Sequence, residues 1–301
     1  MAFIDKTNSF YLLVIIFVIS LPIAFIIGAG LLLPTKPVIK PFDSDQYVTI
    51  LDSKIRYQIY TNNGTIRDSD KNMPALILIH GFGNYKEQWK KVTPGISYHT
   101  IIGLDMIGFG GSDSPNITYN IETQRKYLLA FMDELKINKA VLAGISMGAS
   151  ISAWTAANSQ DRIDNVILIA PSAYPGSLSK NWPYNWFYRP GIVNQFTSML
   201  VGNPVYKTIF PNSMGAQAID VTSSYNSDFA NALHQINQPT LLVWSKGDNT
   251  TLFKFSDEYR SRIENLTFVE MPEKTGHNIL RRAPEQTSKL INEFLLNVNR
   301  N

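Results

Sequence analysis

Short apolar runs alternate with longer amphipathic stretches along most of this chain. The runs have the length of β-strands, and the stretches between them repeat apolar residues at helical spacing, as at Leu128, Phe131, Met132 and Leu135. This alternation predicts an α/β fold with eight strands. The eight runs are YVTIL (47–51), IRYQIY (55–60), ALILIH (75–80), HTIIGLD (99–105), AVLAGI (140–145), NVILIA (165–170), TLLVWS (240–245) and LTFVEM (266–271).

The first two runs differ from the six that follow. They lie close together in the sequence and indicate a hairpin, whereas the later six are continuously apolar, which is typical of strands buried on both faces. Because helical stretches separate these six strands, we expect a mostly parallel sheet covered by helices on both faces. Functional residues in such sheets lie at the carboxyl ends of the strands.

An uncharged apolar segment at 10–33 precedes this pattern. As a helix, these roughly 24 residues would cross a hydrocarbon core of about 30 Å, so the segment is predicted to be an N-terminal transmembrane helix. A cleaved secretory signal is the alternative, although its apolar core spans only about 7–15 residues. We therefore expect a single-pass membrane protein, attached to the membrane by this helix.

The rest of the chain divides into a linker at 34–46 and one large domain at 47–301. Lys6 on one side of the predicted span and Lys36 and Lys40 on the other nearly balance, so the positive-inside rule does not decide its orientation. The side of the membrane on which the domain lies therefore stays open.

Composition narrows the class of protein. The chain has 301 residues, of which 45% are hydrophobic and 17% charged, as is ordinary for a domain with one sizeable core. Its net charge of +3 comes from 27 basic and 24 acidic side chains without a long single-sign block, so no nucleic-acid partner is expected. The sequence has no Cys, no metal-ligand cluster and no dinucleotide fingerprint, so we predict no disulfide, no metal and no cofactor.

The sequence GISMG at 144–148 is the first candidate for chemistry. It joins the strand at 140–145 to a helix, which is the context that a nucleophile elbow requires. A Cβ at Gly144 or Gly148 would crowd the tight turn that lifts the hydroxyl of Ser146 out of the sheet. The alternative is a Gly-rich turn without chemistry.

A serine nucleophile needs a base and an acid. Of the four histidines, His277 is the best candidate for the base, since it follows Ser146 in the chain and lies on a loop after the last predicted strand. The acid should follow another strand between these two residues, where TLLVWSKGDNTT places Asp248. Its carboxylate would orient the imidazole, although Asp in a GDN sequence is often only a turn former.

Two backbone amides are candidates for an oxyanion hole. In HGFGN, which follows the strand ALILI, two glycines let the backbone approach a ligand, so the amide of Phe82 can point toward developing negative charge. Met147, the residue after the candidate nucleophile, would supply the second amide. A purely structural turn is the alternative for HGFGN.

Taken together, the motifs HGFG, DMIGFGGSD, GISMG, WSKGD and GHNILRRAPE resemble those of the α/β-hydrolases with a Ser nucleophile, in the same order and over roughly 46–298. Within that family the chain looks most like membrane-anchored monoacylglycerol lipases and related esterases, and next like bacterial carbon–carbon-bond hydrolases. The resemblance implies Ser146 as nucleophile, Asp248 as acid and His277 as base, with Phe82 and Met147 as oxyanion donors.

The resemblance also implies a helical cap, inserted at about 174–236 between two strands of the sheet. This insertion contains NWPYNWFYRPG, whose aromatic residues either pack on the core or form a surface for an apolar ligand. One departure concerns the acid, since the family often has Pro a few residues after it, whereas here Asn249, Thr250, Thr251 and Leu252 follow.

These features predict a serine hydrolase that cleaves a carboxylic ester, lipophilic or acylglycerol-like, through an acyl-enzyme. The same triad acting on an amide, a thioester or a carbon–carbon bond is the alternative, because fold and triad do not fix the substrate. A non-catalytic binding module on the same fold is a third possibility. The expected partners are a small-molecule or lipid ester and the membrane, and the oligomeric state stays open.

Overall fold

Eight strands form one sheet in the computed structural model, which describes residues 11, 14–18, 20–21, 23–24, 28, 34–70, 72–179 and 192–298. Their order is β1-β2-β4-β3-β5-β6-β7-β8. The pairs β1–β2 and β2–β4 are antiparallel, and all the others are parallel. The strands are β1 (Gln46–Ile50), β2 (Ser53–Ile59), β3 (Ala75–Ile79), β4 (Ile101–Leu104), β5 (Ala140–Ile145), β6 (Ile163–Ile169), β7 (Thr240–Ser245) and β8 (Leu266–Met271). The predicted hairpin and mostly parallel eight-stranded sheet are confirmed.

Burial follows the position of each strand in the sheet. The central strands β3 and β5 are buried along their whole length, as their continuous apolar runs predict. The apolar run of β8 does not lead to the same burial, because β8 lies at the end of the strand order and most of its side chains are half-buried or exposed. Hydropathy alone therefore does not distinguish an edge strand from a central one.

Helices connect the parallel strands. Helix α1 begins after Asn120, whose side chain accepts a hydrogen bond from the Thr123 amide, and it buries Leu128, Phe131 and Met132 as the spacing predicts. Helices α3 to α6 lie between β6 and β7, in the region of the predicted cap. The helices are α1 (Ile121–Glu134), α2 (Met147–Asn158), α3 (Ile192–Val201), α4 (Pro204–Ile209), α5 (Met214–Thr222), α6 (Ser227–Ala232), α7 (Ser256–Arg262), α8 (Ile279–Arg282) and α9 (Pro284–Val298).

The prediction of a single-pass membrane protein with a transmembrane helix at 10–33 is contradicted. No helix in the described part of the chain is long and apolar enough to cross a membrane. Positions 10, 12–13, 19, 22, 25–27 and 29–33 of the predicted span lie outside the described residues.

The first residues of the predicted linker contact the rest of the fold. The Lys36 amide donates to the Asn212 carbonyl at 2.9 Å, and the Met214 amide donates to the Pro34 carbonyl at 2.8 Å. The Lys36 ammonium donates to the Ser112 carbonyl at 2.7 Å, within the DMIGFGGSD motif. This segment therefore joins the loop between α4 and α5 to the loop that follows β4.

A buried ionic network includes two residues of the segment that follows the HGFG turn, Lys86 and Glu87. The Arg56 guanidinium contacts Asp45, Glu87 and Asp105 at 2.7, 2.6 and 2.9 Å, and Lys86 contacts Asp45 and Glu87 at 2.8 and 2.6 Å. Burial opposes ionisation of Asp45, but hydrogen bonds from Arg56 and Lys86 outweigh it and lower the pKa of this carboxyl. The Asp105 carboxylate also accepts the Lys86 amide at 2.6 Å, which ties the segment after HGFG to the end of β4.

Candidate active site

The three candidate catalytic residues follow neighbouring parallel strands. Ser146 comes directly after β5, Asp248 lies on the loop after β7 and His277 on the loop after β8. The strands β5, β6, β7 and β8 are adjacent and parallel, so their carboxyl ends share one edge of the sheet. This is the edge at which an α/β sheet holds its functional groups.

The turn at Ser146 has the backbone of a strained elbow. Ser146 has φ 56° and ψ −117°, a conformation that a residue with a side chain rarely adopts, and its amide donates to the Ile169 carbonyl at 2.9 Å. A Cβ at Gly144 would lie 2.2 Å from the Gly148 backbone, and one at Gly148 would lie 2.4 Å from the Ile79 carbonyl oxygen. Both glycines are therefore required by close backbone approach.

Asp248 and His277 are brought together. His277 Nδ1 lies 2.8 Å from Asp248 Oδ2, and the Asp248 side chain is fully buried whereas the His277 side chain is 17% exposed. A carboxylate only accepts hydrogen bonds, so His277 Nδ1–H is the donor of the hydrogen bond to Asp248. This arrangement leaves Nε2 as the ring nitrogen that can exchange a proton with another group.

The residues after Asp248 hold its carboxylate. The Thr250 and Thr251 amides donate to Oδ1, both at 2.9 Å, and the Thr251 hydroxyl lies 2.9 Å from Oδ2. The same hydroxyl lies 3.2 Å from His277 Nδ1 and 3.2 Å from the Ala170 carbonyl. The departure from the Pro-containing family pattern therefore places a hydroxyl and two amides around the candidate acid.

The Thr251 contact was missed by the sequence reasoning, although a signal was present. An Asp side chain that accepts the amides two and three residues later forms a local turn, and the sequence GDNTT is favourable for such a turn. Recognition of this turn would have predicted the amide contacts. The hydroxyl contact depends on the position of His277, which local sequence does not give.

A Thr251→Val substitution should lower kcat about tenfold with little change in KM, because it removes one hydrogen bond to a charged carboxylate and keeps the shape of the side chain. Steady-state kinetics on the best ester substrate would measure this loss. Thr250→Val is the matched control, since it keeps the amide that donates to Asp248 and changes a hydroxyl that does not contact the carboxylate. Thr251→Ser should retain near-normal kcat, and equal losses in Thr251→Val and Thr250→Val would contradict the assigned contact.

One candidate oxyanion donor, Met147, follows Ser146 in the chain, and the other, Phe82, lies on the HGFG turn. Met147 is the first residue of α2, where helical amides lack partners within the helix. Phe82 follows Gly81, where an added Cβ would lie 3.4 Å from the Ser146 Cβ. The HGFG turn therefore runs alongside the elbow, and the Gly81 amide is fixed by Gln88 Oε1 at 2.8 Å.

His80 has a structural place beside this turn. It is completely buried, its Nδ1 lies 2.7 Å from the Gly81 carbonyl and its Nε2 accepts the Met106 amide at 3.0 Å. Burial lowers the pKa of His80, so the neutral imidazole is favoured. The Nε2 bond thus joins the end of β3 to the end of β4, and the Nδ1 contact is local to the HGFG turn. His234, in contrast, is exposed after α6.

Side chains of the cap region contact α2 close to the elbow. Tyr119, Met147, Ile151 and Val221 line a tight apolar crevice there, together with Tyr225. The Tyr225 hydroxyl bonds Ser172 Oγ at 2.8 Å, and burial raises the pKa of Tyr225, so it stays neutral. The aromatic residues of NWPYNWFYRPG lie outside the described residues, and the cap boundaries at 174 and 236 stay predictions.

Residues 74–201 match the family model described as alpha/beta hydrolase fold. The chain has the α/β-hydrolase fold with a mostly parallel eight-stranded sheet, and the resemblance predicted from the motifs is confirmed. The fold of this protein is therefore that of the α/β hydrolases.

Individual proteins are similar to this chain over most of its length. The chain is 23% identical over 276 residues to the human (Homo sapiens) monoacylglycerol lipase ABHD6, covering 81% of this chain and 82% of the relative. It is 28% identical over 248 residues to the 2-hydroxy-6-oxo-2,4-heptadienoate hydrolase of Pseudomonas putida, covering 73% and 88%. The structure of the meta-cleavage product hydrolase CumD from Pseudomonas fluorescens is similar with a TM-score of 0.66 at 19% identity, covering 84% of this chain and 98% of that one.

Proposed function

We propose that this protein is a serine hydrolase that cleaves a carboxylic ester through an acyl-enzyme on Ser146. The observation that carries the proposal is the 2.8 Å contact between His277 Nδ1 and the buried Asp248, at the sheet edge where the strained Ser146 lies. This arrangement supplies an oriented base, and the half-buried Ser146 at the elbow supplies the candidate nucleophilic hydroxyl.

In the proposed mechanism, the Ser146 hydroxyl attacks the ester carbonyl while His277 Nε2 takes its proton. The negative charge on the carbonyl oxygen is held by the amides of Met147 and Phe82. The imidazolium, stabilised by Asp248, gives the proton to the leaving alcohol as the ester C–O bond breaks. Water then attacks the acyl-enzyme with the same base, which releases the carboxylic acid and restores Ser146.

A lipophilic or acylglycerol-like ester is the proposed substrate class. The name of the human relative, monoacylglycerol lipase, supports this class. A carbon–carbon bond next to a carbonyl is the second candidate, because the Pseudomonas putida relative is named for the hydrolysis of an oxo-dienoate.

Purified full-length protein, assayed on a panel of substrates of similar size, tests the proposal. The panel contains p-nitrophenyl butyrate, a monoacylglycerol, a thioester, an amide and a 2-hydroxy-6-oxo-dienoate, and a fluorophosphonate probe reports the nucleophile independently of substrate. We expect labelling and the highest kcat/KM on the esters. Labelling with turnover of the dienoate alone would favour the second candidate, and an unlabelled protein without turnover would reject both.

A further inference from the structure

A cavity of about 400 Å³ opens between the segment that follows the HGFG turn and the segment that follows His277. One wall is formed by residues 84–91, which follow the HGFG turn, and the opposite wall by the segment that follows His277. Ile145 and Asn278, which also line the cavity, are the chain neighbours of Ser146 and His277. The volume lies within the range of about 300–1,000 Å³ that is usual for small-molecule sites, and the cavity lies one residue along the chain from both Ser146 and His277.

The lining of this cavity carries an excess of positive charge. Lys90, Lys91 and Arg281 line it with exposed side chains, and in the described part of the chain none of the three forms an ion pair with a carboxylate. The acidic lining residue is Glu87, and its carboxylate is already bonded by Arg56 and Lys86, both at 2.6 Å. The network that contains Glu87 has three carboxylates and two cations, so its single excess negative charge leaves the three exposed cations of the lining with a net positive charge.

Arg281 differs from Arg282, the next residue, in the hydrogen bonds that its guanidinium makes. The Arg282 guanidinium donates hydrogen bonds to the backbone carbonyls of Lys274 and Thr275 at 3.0 and 3.3 Å, so this group is already bonded within the protein. No such bond fixes Arg281 among the described residues, and its planar fork matches the geometry of a carboxylate or a phosphate. The side chains of Asn84 and Asn278 add neutral donors to the same lining.

We infer that this cavity is an anion-binding subsite, and that the natural substrate is an ester with a carboxylate or phosphate a few bonds from the scissile carbonyl. This inference rests on the proposed function, because it places the anion on the substrate of the same Ser146. The anion belongs either to the leaving alcohol, as in a phosphorylated glycerol, or to the far end of the acyl chain, as in a dicarboxylic monoester.

Three glycerol esters of matched size separate these cases. Butyrylglycerol is neutral, butyrylglycerol 3-phosphate carries the anion on the alcohol, and the monoglycerol ester of succinate carries it on the acyl chain. Acid release by the full-length protein is followed by titration at low ionic strength, because salt screens exposed charges. We expect one of the two anionic esters to exceed butyrylglycerol about tenfold in kcat/KM.

Charge-removing variants test whether the cavity causes this preference. Lys91→Gln and Arg281→Gln should each lower the ratio of anionic to neutral kcat/KM about two- to fivefold, as expected for exposed charge pairs, and the double variant should abolish it. Lys289→Gln is the matched control, since it removes the same charge from an exposed side chain on α9 outside the cavity. This control should keep the wild-type ratio.

Binding of the same three esters to a Ser146→Ala variant, measured by calorimetry, reports the subsite without turnover. Tighter binding of an anionic ester, lost in the Lys91→Gln/Arg281→Gln background, supports the inference even when no ester is hydrolysed and the proposed function fails. Equal kcat/KM and equal affinity for all three esters, or a preference that survives the double substitution, would overturn the subsite while hydrolysis of butyrylglycerol leaves the proposed function standing.

Discussion

A Ser146→Ala variant should lose about six orders of magnitude in kcat while keeping its fold, because the nucleophile and its base act as a unit in serine hydrolases. Ala keeps the Cβ and the positive φ of the elbow, so the backbone strain at this position is unchanged and stability should stay close to that of the native protein. Steady-state kinetics and thermal unfolding measure the two quantities separately.

The same variant should no longer be labelled by a fluorophosphonate. Ser261→Ala serves as the control, since Ser261 is an exposed residue of α7, and it should be labelled and active like the native protein. Residual labelling of Ser146→Ala would assign the nucleophile to another serine. Loss of activity together with a lowered unfolding temperature would indicate a structural role for the hydroxyl, and the acyl-enzyme mechanism would then lack its support.

The fold was accessible from the sequence because it depends on local hydropathy. Runs such as ALILI and AVLAGI are long enough and apolar enough for buried strands, and the glycines of GISMG are required by the backbone contacts of the elbow. The order of the candidate residues along the chain then placed Asp248 and His277 on loops at one edge of the sheet, where the structure brings them into contact.

The features that sequence reasoning missed depend on residues that are distant in the chain. The Arg56 network joins residues of the hairpin, the HGFG segment and the end of β4, and nothing in the local pattern around Arg56 indicates these partners. The contact of Thr251 with His277 has the same origin, since it joins two separate loops. The transmembrane prediction was wrong for a different reason. It rested on the apolar composition of one segment, and no helix in the described part of the chain is long and apolar enough to cross a membrane.

Asp248→Asn should lower kcat about 10⁴-fold, as in other triads whose acid is changed to an amide. The native carboxylate accepts two backbone amides at Oδ1 and bonds the Thr251 hydroxyl and His277 Nδ1 at Oδ2. In the variant the amide oxygen is expected to stay with the backbone amides, so the NH2 group faces His277. Nδ1 must then accept a hydrogen bond, which forces the proton to Nε2, and the imidazole cannot take the proton of Ser146.

Kinetics and structure together decide this prediction. Since Asn is nearly isosteric with Asp, the variant should remain folded and should bind substrate with little change in affinity, so the loss should appear in kcat. Asp257→Asn is the matched control, because it makes the same chemical change at an exposed ion pair on α7, and its kcat should stay within about twofold of the native value. Near-native kcat in Asp248→Asn would mean that another carboxylate orients His277. Equal losses of kcat in Asp248→Asn and Asp257→Asn would show that the loss comes from the change in net charge and is not specific to Asp248.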